Sequence, residues 1–245
     1  MQRAGGKDKI SIADDKANLR MLQKFMDNEE YKNQVLGYAT ETSDILAIPE
    51  AEGILMMGMK HARFFNDGRK LLILSKSNNL IPLLEVRKYS KLENIIISFS
   101  INPPLICKRT NSPGFILYDL VRLLEAGYKD IRLRIDPIIP IPEWYDHYQY
   151  LIEVIPCFVS RITLGTLRAT DATYRAMPEW LQGYLVRMDP ECHHPWRLSY
   201  HTRERVYGHL VPLLRDRGFE IGLCKEHRNF YSLWGIDSKK CNCLA

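Results

Sequence analysis

Three cysteines crowd the C-terminal stretch: Cys224, then Cys241 and Cys243 in a CxC pair. Thiolates are soft ligands, and closely spaced ones suit an iron–sulfur cluster first and zinc second. Cys192, followed by His193 and His194, offers a fourth ligand. The spacing points to an auxiliary metal site on Cys224, Cys241 and Cys243, and leaves open unligated thiols on a tail. Cys107 and Cys157 stand alone and read as small buried hydrophobes.

A second set of chemistry-bearing residues is hydroxylic, amide and basic. Each group sits at the end of a short apolar run. The first is Thr40, Glu41, Thr42, Ser43 and Asp44; the second is Ser75, Lys76, Ser77, Asn78 and Asn79. Ser98, Ser100 and Asn102 follow, then Arg134 and Asp136, then Thr166 and Arg168. Lys76 and Arg134 among hydroxyls would suit a small molecule bearing a carboxylate or phosphate. Plain solvent contact at strand ends would favour the same residue types. Arg197, Tyr200, Arg203 and Arg205 form a basic, aromatic-bearing stretch that reads as a DNA-backbone contact or a solvated helix face. Trp144, Tyr145, Tyr148 and Tyr150 read as core and helix surface, with Trp144 placed to border a ligand. His61 and His147 read as surface residues.

The elements that must position these groups are legible as apolar runs. VLGYAT (35–40), KLLILSK (70–76), NIIISFSI (94–101), DIRLRIDPII (130–139), RITLGTLR (161–168) and FEIGLC (219–224) read as six strands. Unbroken apolar runs suit strands covered on both faces. Amphipathic segments lie between them. Pro113 opens one helix with Leu117, Leu120, Val121 and Leu124 on a face and Gly127 as its stop. Trp144, Tyr148, Leu151, Ile152 and Ile155 mark a second; Val206, Leu210, Leu213 and Leu214 mark a third, which Pro212 could kink. Leu19, Leu22, Phe25 and Met26 mark a helix before the first strand. Repeated βα units imply a parallel sheet, with ligands at the carboxyl ends of its strands. A full eight-fold barrel takes roughly 250 residues, so six strands here predict an α/β fold with a partial (βα)6 parallel barrel, its first βα unit missing or degenerate. The expected layout is an N-terminal helical segment over 1–34, the partial barrel over 35–224 with an irregular insertion at 169–205, and a Cys-bearing tail over 225–245.

Composition sets the outer bounds. The chain has 245 residues, 46% hydrophobic and 26% charged, which excludes a disordered chain. No run reaches the ~18 apolar residues of a membrane span. The first residues lack the apolar core of a secretory signal, so a cytoplasmic, reducing location without disulfides is expected. The net charge of +5 permits a nucleic-acid partner without demanding one.

Five strings occur in order: ETSD (41–44), LLILSKSNN (71–79), ISFSINPP (97–104), EAGY (125–128) and RIDPIIPIPEW (134–144). Over residues 35–168 this series resembles the radical S-adenosylmethionine enzymes of the spore photoproduct lyase (DNA repair photolyase) group. GLCKE (222–226) with KCNCL (240–244) is similar to the ending of some members. The resemblance implies a partial barrel that binds S-adenosylmethionine beside a [4Fe–4S] cluster. It implies radical cleavage of carbon–carbon or carbon–hydrogen bonds, with DNA as the substrate in the lyase itself. It carries S-adenosylmethionine contacts onto Ser43, Lys76, Ser100 and Asn102; Arg134 joins them from its place on the fourth strand alone. The group holds its cluster by CxxxCxxC, which does not occur here; the first cysteine is Cys107. A cluster-bearing N-terminal segment or subunit is therefore an expected partner. Glu41 stands where the lyase has its hydrogen-donating cysteine. The alternative function is a non-catalytic remnant or partner subunit that binds a nucleotide-like ligand or DNA.

Overall fold

Branched aliphatic residues dominate the six apolar runs, and each run builds one strand of a single parallel sheet. The computed structural model describes residues 15–38, 44–47, 51–77, 79–106, 113–188 and 194–242. The chain runs through α1 (Asp15–Asp27), β1 (Val35–Tyr38), α2 (Ala51–Ala62), β2 (Lys70–Ser75) and α3 (Ile81–Val86). It continues through β3 (Ile95–Ser100), α4 (Pro113–Glu125), β4 (Asp130–Ile138), α5 (Trp144–Glu153) and β5 (Arg161–Thr166). Then come β6 (Arg168–Ala169), α6 (Asp171–Arg175), α7 (Glu179–Gln182), β7 (Val186–Arg187) and β8 (Trp196–Arg197), followed by α8 (Tyr200–Asp216), β9 (Glu220–Leu223) and α9 (Arg228–Leu233). The six-stranded order is β1-β2-β3-β4-β5-β9, all parallel, curled into the half-barrel that the run spacing predicts.

The two faces of this sheet differ in chemistry because side chains alternate along a strand. One face carries Ile95, Ile97 and Phe99, then Ile131, Leu133 and Ile135, then Ile162, Leu164, Ile221 and Leu223, all in the apolar core. Leu120 and Leu123 of α4, Leu151 and Ile152 of α5, and Val206, Leu210 and Leu214 of α8 belong to the same core. Each such side chain contributes about 1.5–3 kcal/mol when fully buried. α8 runs through Pro212 without ending there, and the left-handed Gly127 and Gly218 follow α4 and α8.

The other face is polar yet buried: Ser98, Ser100, Arg132, Arg134, Arg161 and Thr163 are all at most 9% exposed. What covers part of it is the chain's own tail. Asn242 is fully buried, and its Nδ2 donates to Ser98 Oγ (2.9 Å) and to the Leu133 carbonyl (2.7 Å). Its backbone N–H donates to Thr163 Oγ1 (2.8 Å). One strand over, Gly222 lies so close that a Cβ there would fall 1.8 Å from the Lys240 carbonyl oxygen. A glycine in β9 thus admits the tail.

Some local expectations change. RITLGTLR is not one strand: Arg168–Ala169 leaves the barrel sheet and pairs antiparallel with Trp196–Arg197, which pairs with Val186–Arg187. The 169–205 stretch therefore carries a small three-stranded sheet. Cys157 is exposed rather than a buried hydrophobe, because it lies in the turn between α5 and β5. Leu19 faces outward at 40% exposure, while Leu22 and Phe25 hold α1 to the core.

Candidate functional site

The carboxyl ends of the strands form a rim, and register decides which residues share it. Ser75 is level with Phe99, so the next residue, Lys76, is level with Ser100. Ser100 is level with Arg134, and Arg134 with Thr163. Ser100 and Arg134 therefore come from adjacent strands at one height, and Lys76 joins them from just past the end of β2, with Asn102 two residues beyond Ser100. Ser43 lies outside the described residues.

The exit of β2 is shaped by one carboxylate. Asp44 accepts from Ser75 Oγ (2.6 Å) at Oδ1, and from the backbone N–H groups of Lys76 (2.7 Å) and Ser77 (3.1 Å) at Oδ2. These bonds fix the backbone from which the exposed Lys76 side chain projects. Among the described residues nothing forms an ion pair with the Lys76 ammonium, and none hydrogen-bonds to Ser100 Oγ. Both are donors at the same level. Asn102 is more constrained: Tyr148 donates its hydroxyl to Asn102 Oδ1 (3.3 Å) and accepts from the Ile139 N–H (3.0 Å).

Further along the rim the polar groups are engaged with one another. Arg134 Nη2 donates to Asp136 Oδ2 (2.8 Å) and to Cys224 Sγ (3.0 Å). Arg168 grips both Asp136 oxygens, at 3.1 and 3.0 Å, and reaches Cys224 Sγ at 3.4 Å. Burial alone would raise the Asp136 carboxyl, but the charges of Arg168 and then Arg134 hold it below the usual carboxylate range. Gly165 makes room for it, since a Cβ there would sit 2.7 Å from the carboxylate carbon. Arg134 is thus a partner of protein groups as well as a rim residue.

Two of the three tail thiols come together. Cys224 follows β9 on the inner face, and Cys241 returns against β9, its Cα 3.0 Å from where a Gly222 Cβ would stand. Both are buried and reduced. The hydrogen bond with Cys241, and then burial, push the Cys224 thiol up. Cys243, like Cys192, His193 and Cys107, lies outside the described residues. Among the described residues no group of three metal-ligating side chains occurs, so those residues do not by themselves fit a three-thiolate cluster.

The Arg197–Arg205 stretch is part buried and part exposed. Arg203 is 2% exposed, and its Nη1 donates to Glu226 Oε2 at 2.6 Å. Arg197 pairs with Glu226 Oε1 at 3.2 Å. Thr166 and Tyr207 hydroxyls add donors at 2.8 Å each. Both arginines neutralise a fully buried carboxylate; Arg203 is itself buried, while Arg197 is partly exposed and also donates to the Lys225 carbonyl at 2.6 Å. Arg205 remains exposed, above the Tyr145 ring. Trp144 is buried at 3% and stacked on Tyr145. Sequence reasoning assigned no role to Asp44 or Glu226, though ETSD and GLCKE contain them; their partners lie far away in sequence.

No family model matches the chain, and no curated protein matches it. Solved structures do match in fold. A cysteine-to-serine mutant of spore photoproduct lyase superposes with a TM-score of 0.69 at 16% identity, over 85% of this chain and 65% of that one. A mutant of the same lyase with bound AdoMet and dinucleoside spore photoproduct gives 0.67 at 16%, over 83% and 64%. The lyase complexed with dinucleoside spore photoproduct gives 0.64 at 15%, over 82% and 66%. The fold of this chain is that of the lyase barrel, and the chain spans just under two thirds of those proteins' length.

Proposed function

We propose that the rim binds S-adenosylmethionine and that the protein works as a spore photoproduct lyase-like member of the radical S-adenosylmethionine group, acting on a nucleic-acid substrate. The observation that carries this is the level pair of donors, Lys76 and Ser100, without partners among the described residues at the strand ends. A lysine point charge suits the methionine carboxylate, and Ser100, Ser43 and Asn102 suit the ribose hydroxyls. Asp44 supports Lys76 by fixing its backbone. Arg134, held by Asp136, supplies fixed positive charge beside Ser100. Bound beside a reducing iron–sulfur cluster, this cofactor supplies a deoxyadenosyl radical; the cluster's thiolates would come from a partner segment or subunit.

A nucleic-acid partner is supported by the three-stranded sheet beside the rim. There Trp196 stacks on Tyr174 at 3.6 Å, Arg187 sits above Trp196, and Trp180 is 60% exposed. Aromatic faces with guanidinium groups suit unstacked bases. A cytoplasmic location goes with this reading; among the described residues no helix is long and apolar enough to cross a membrane.

A second reading, binding without catalysis, is favoured by the lack of CxxxCxxC in the 245 residues. Two measurements separate them. Titration calorimetry with S-adenosylmethionine tests the rim, and no heat of binding would end both readings of it. Anaerobic reconstitution with iron and sulfide, followed by absorption near the thiolate-to-iron band, tests for a cluster. A brown protein supports radical chemistry, and a colourless one that still binds the nucleotide supports the second reading.

A further inference from the structure

The geometry points to a redox couple at the root of the tail: Cys224 and Cys241 close into a reversible disulfide that locks residues 240–242 into the inner face of the barrel. The two thiols come from segments packed in direct contact, with Gly222 against the Lys240 carbonyl and the Cys241 Cα. Arg161 Nη1 donates to the Cys241 carbonyl (3.3 Å), and Asn242 is pinned by Ser98, Leu133 and Thr163, so the Cys241 backbone is held on both sides. Cys224 follows directly on β9, and its N–H donates to the Leu164 carbonyl of the neighbouring β5 at 2.8 Å. The Cys224 and Cys241 side chains hydrogen-bond to each other, so the two sulfurs already face one another as a bridge requires.

The surroundings favour sulfur redox chemistry over metal binding. Arg134 and Arg168 place guanidinium groups 3.0 and 3.4 Å from Cys224 Sγ. Such cations repel a metal ion, and they partly offset the Cys241 hydrogen bond and the burial that together keep the Cys224 thiol protonated. The oxidant is hydrogen peroxide. Cys241, the more exposed of the two at 9% against 2%, attacks the O–O bond and becomes a sulfenic acid, and one water leaves. Cys224 sulfur then displaces the sulfenic oxygen as a second water. Two S–H bonds and the O–O bond break, one S–S bond forms, and the peroxide accepts two electrons and two protons. A small dithiol reverses the step by exchange.

The test uses the full chain with all its cysteines. Reduced protein is treated with hydrogen peroxide, alkylated in denaturant and mapped by peptide mass spectrometry. The expected result is a monomer lighter by two hydrogens, with the Cys224 and Cys241 peptides linked, and reversal by dithiothreitol. Closing this short loop raises Tm by roughly 6–12 °C. Cys224→Ser and Cys241→Ser each abolish the link, and Cys157→Ser keeps it; the wild-type map stands whether or not the variants fold. The inference is overturned if both thiols are alkylated after peroxide, if either pairs instead with Cys243, if sulfinic acid forms without a link, or if a co-purified metal ion keeps both reduced.

Discussion

The β2–β3 side of the rim and the β4–β5–β9 side use the same vocabulary of serine, arginine, lysine and carboxylate, yet they treat it differently. On the β4–β5–β9 side, Asp136 is shared by two arginines, Glu226 by two arginines and two hydroxyls, and Asn242 bonds to three strands. On the β2–β3 side, Lys76 and Ser100 stand level and have no partner among the described residues. Buried polar groups must be satisfied or they cost stability. The engaged side therefore holds the fold together, while the other retains donors for a ligand. Substitutions should divide accordingly: stability falls on one side and binding on the other.

The largest effect is expected from Arg203→Ala, which leaves the Glu226 carboxylate buried and short of its nearest cation. Breaking such a pair costs about 3–5 kcal/mol, read from urea unfolding. A change below ~1 kcal/mol would mean that the engaged side is not structural in the sense argued. Gly222→Ala comes next. Its Cβ would collide with the Lys240 backbone, so the tail must shift and Asn242 loses its bonds, at about 2–4 kcal/mol. Unchanged Tm would show that the tail does not pack on β9.

Acid gives an intermediate effect with a defined sign. Burial would raise Asp130, but the hydrogen bond and charge of Arg132, then those of Lys70, hold it at about 2. Because the folded value lies below the ordinary one of about 4, this carboxylate's contribution is complete above that value. It is lost as pH falls from about 4 toward 2, amounting to about 2 kcal/mol. Asp130→Asn should flatten that part of the stability profile, and a profile that keeps its full slope would contradict the assignment. The smallest stability effect is expected from Lys76→Ala, within about 0.5 kcal/mol, since its side chain is exposed.

The sequence made the barrel visible because each strand is an apolar run of branched residues between helical segments. Ile95–Phe99 and Ile162–Leu164 read as strands whatever lies around them. It also made Lys76, Ser100 and Arg134 visible as strand-end residues, because position along a parallel strand translates directly into position on the rim. The engaged side was hidden. Arg203 and Glu226 pair across 23 residues, and Asn242 meets Ser98 across 144. No local pattern encodes such a meeting, so Arg203 read as a surface charge and the tail as loose. The continuous burial of β3 and β5 held a clue, since polar Ser98 and Thr163 within those runs needed a buried partner.

The division is tested most directly by titration calorimetry of S-adenosylmethionine into the wild type and Lys76→Ala, each checked by thermal melting. The account predicts saturable binding to the wild type and an affinity at least about tenfold weaker in Lys76→Ala, with Tm unchanged. Equal affinities in two equally stable proteins would contradict it.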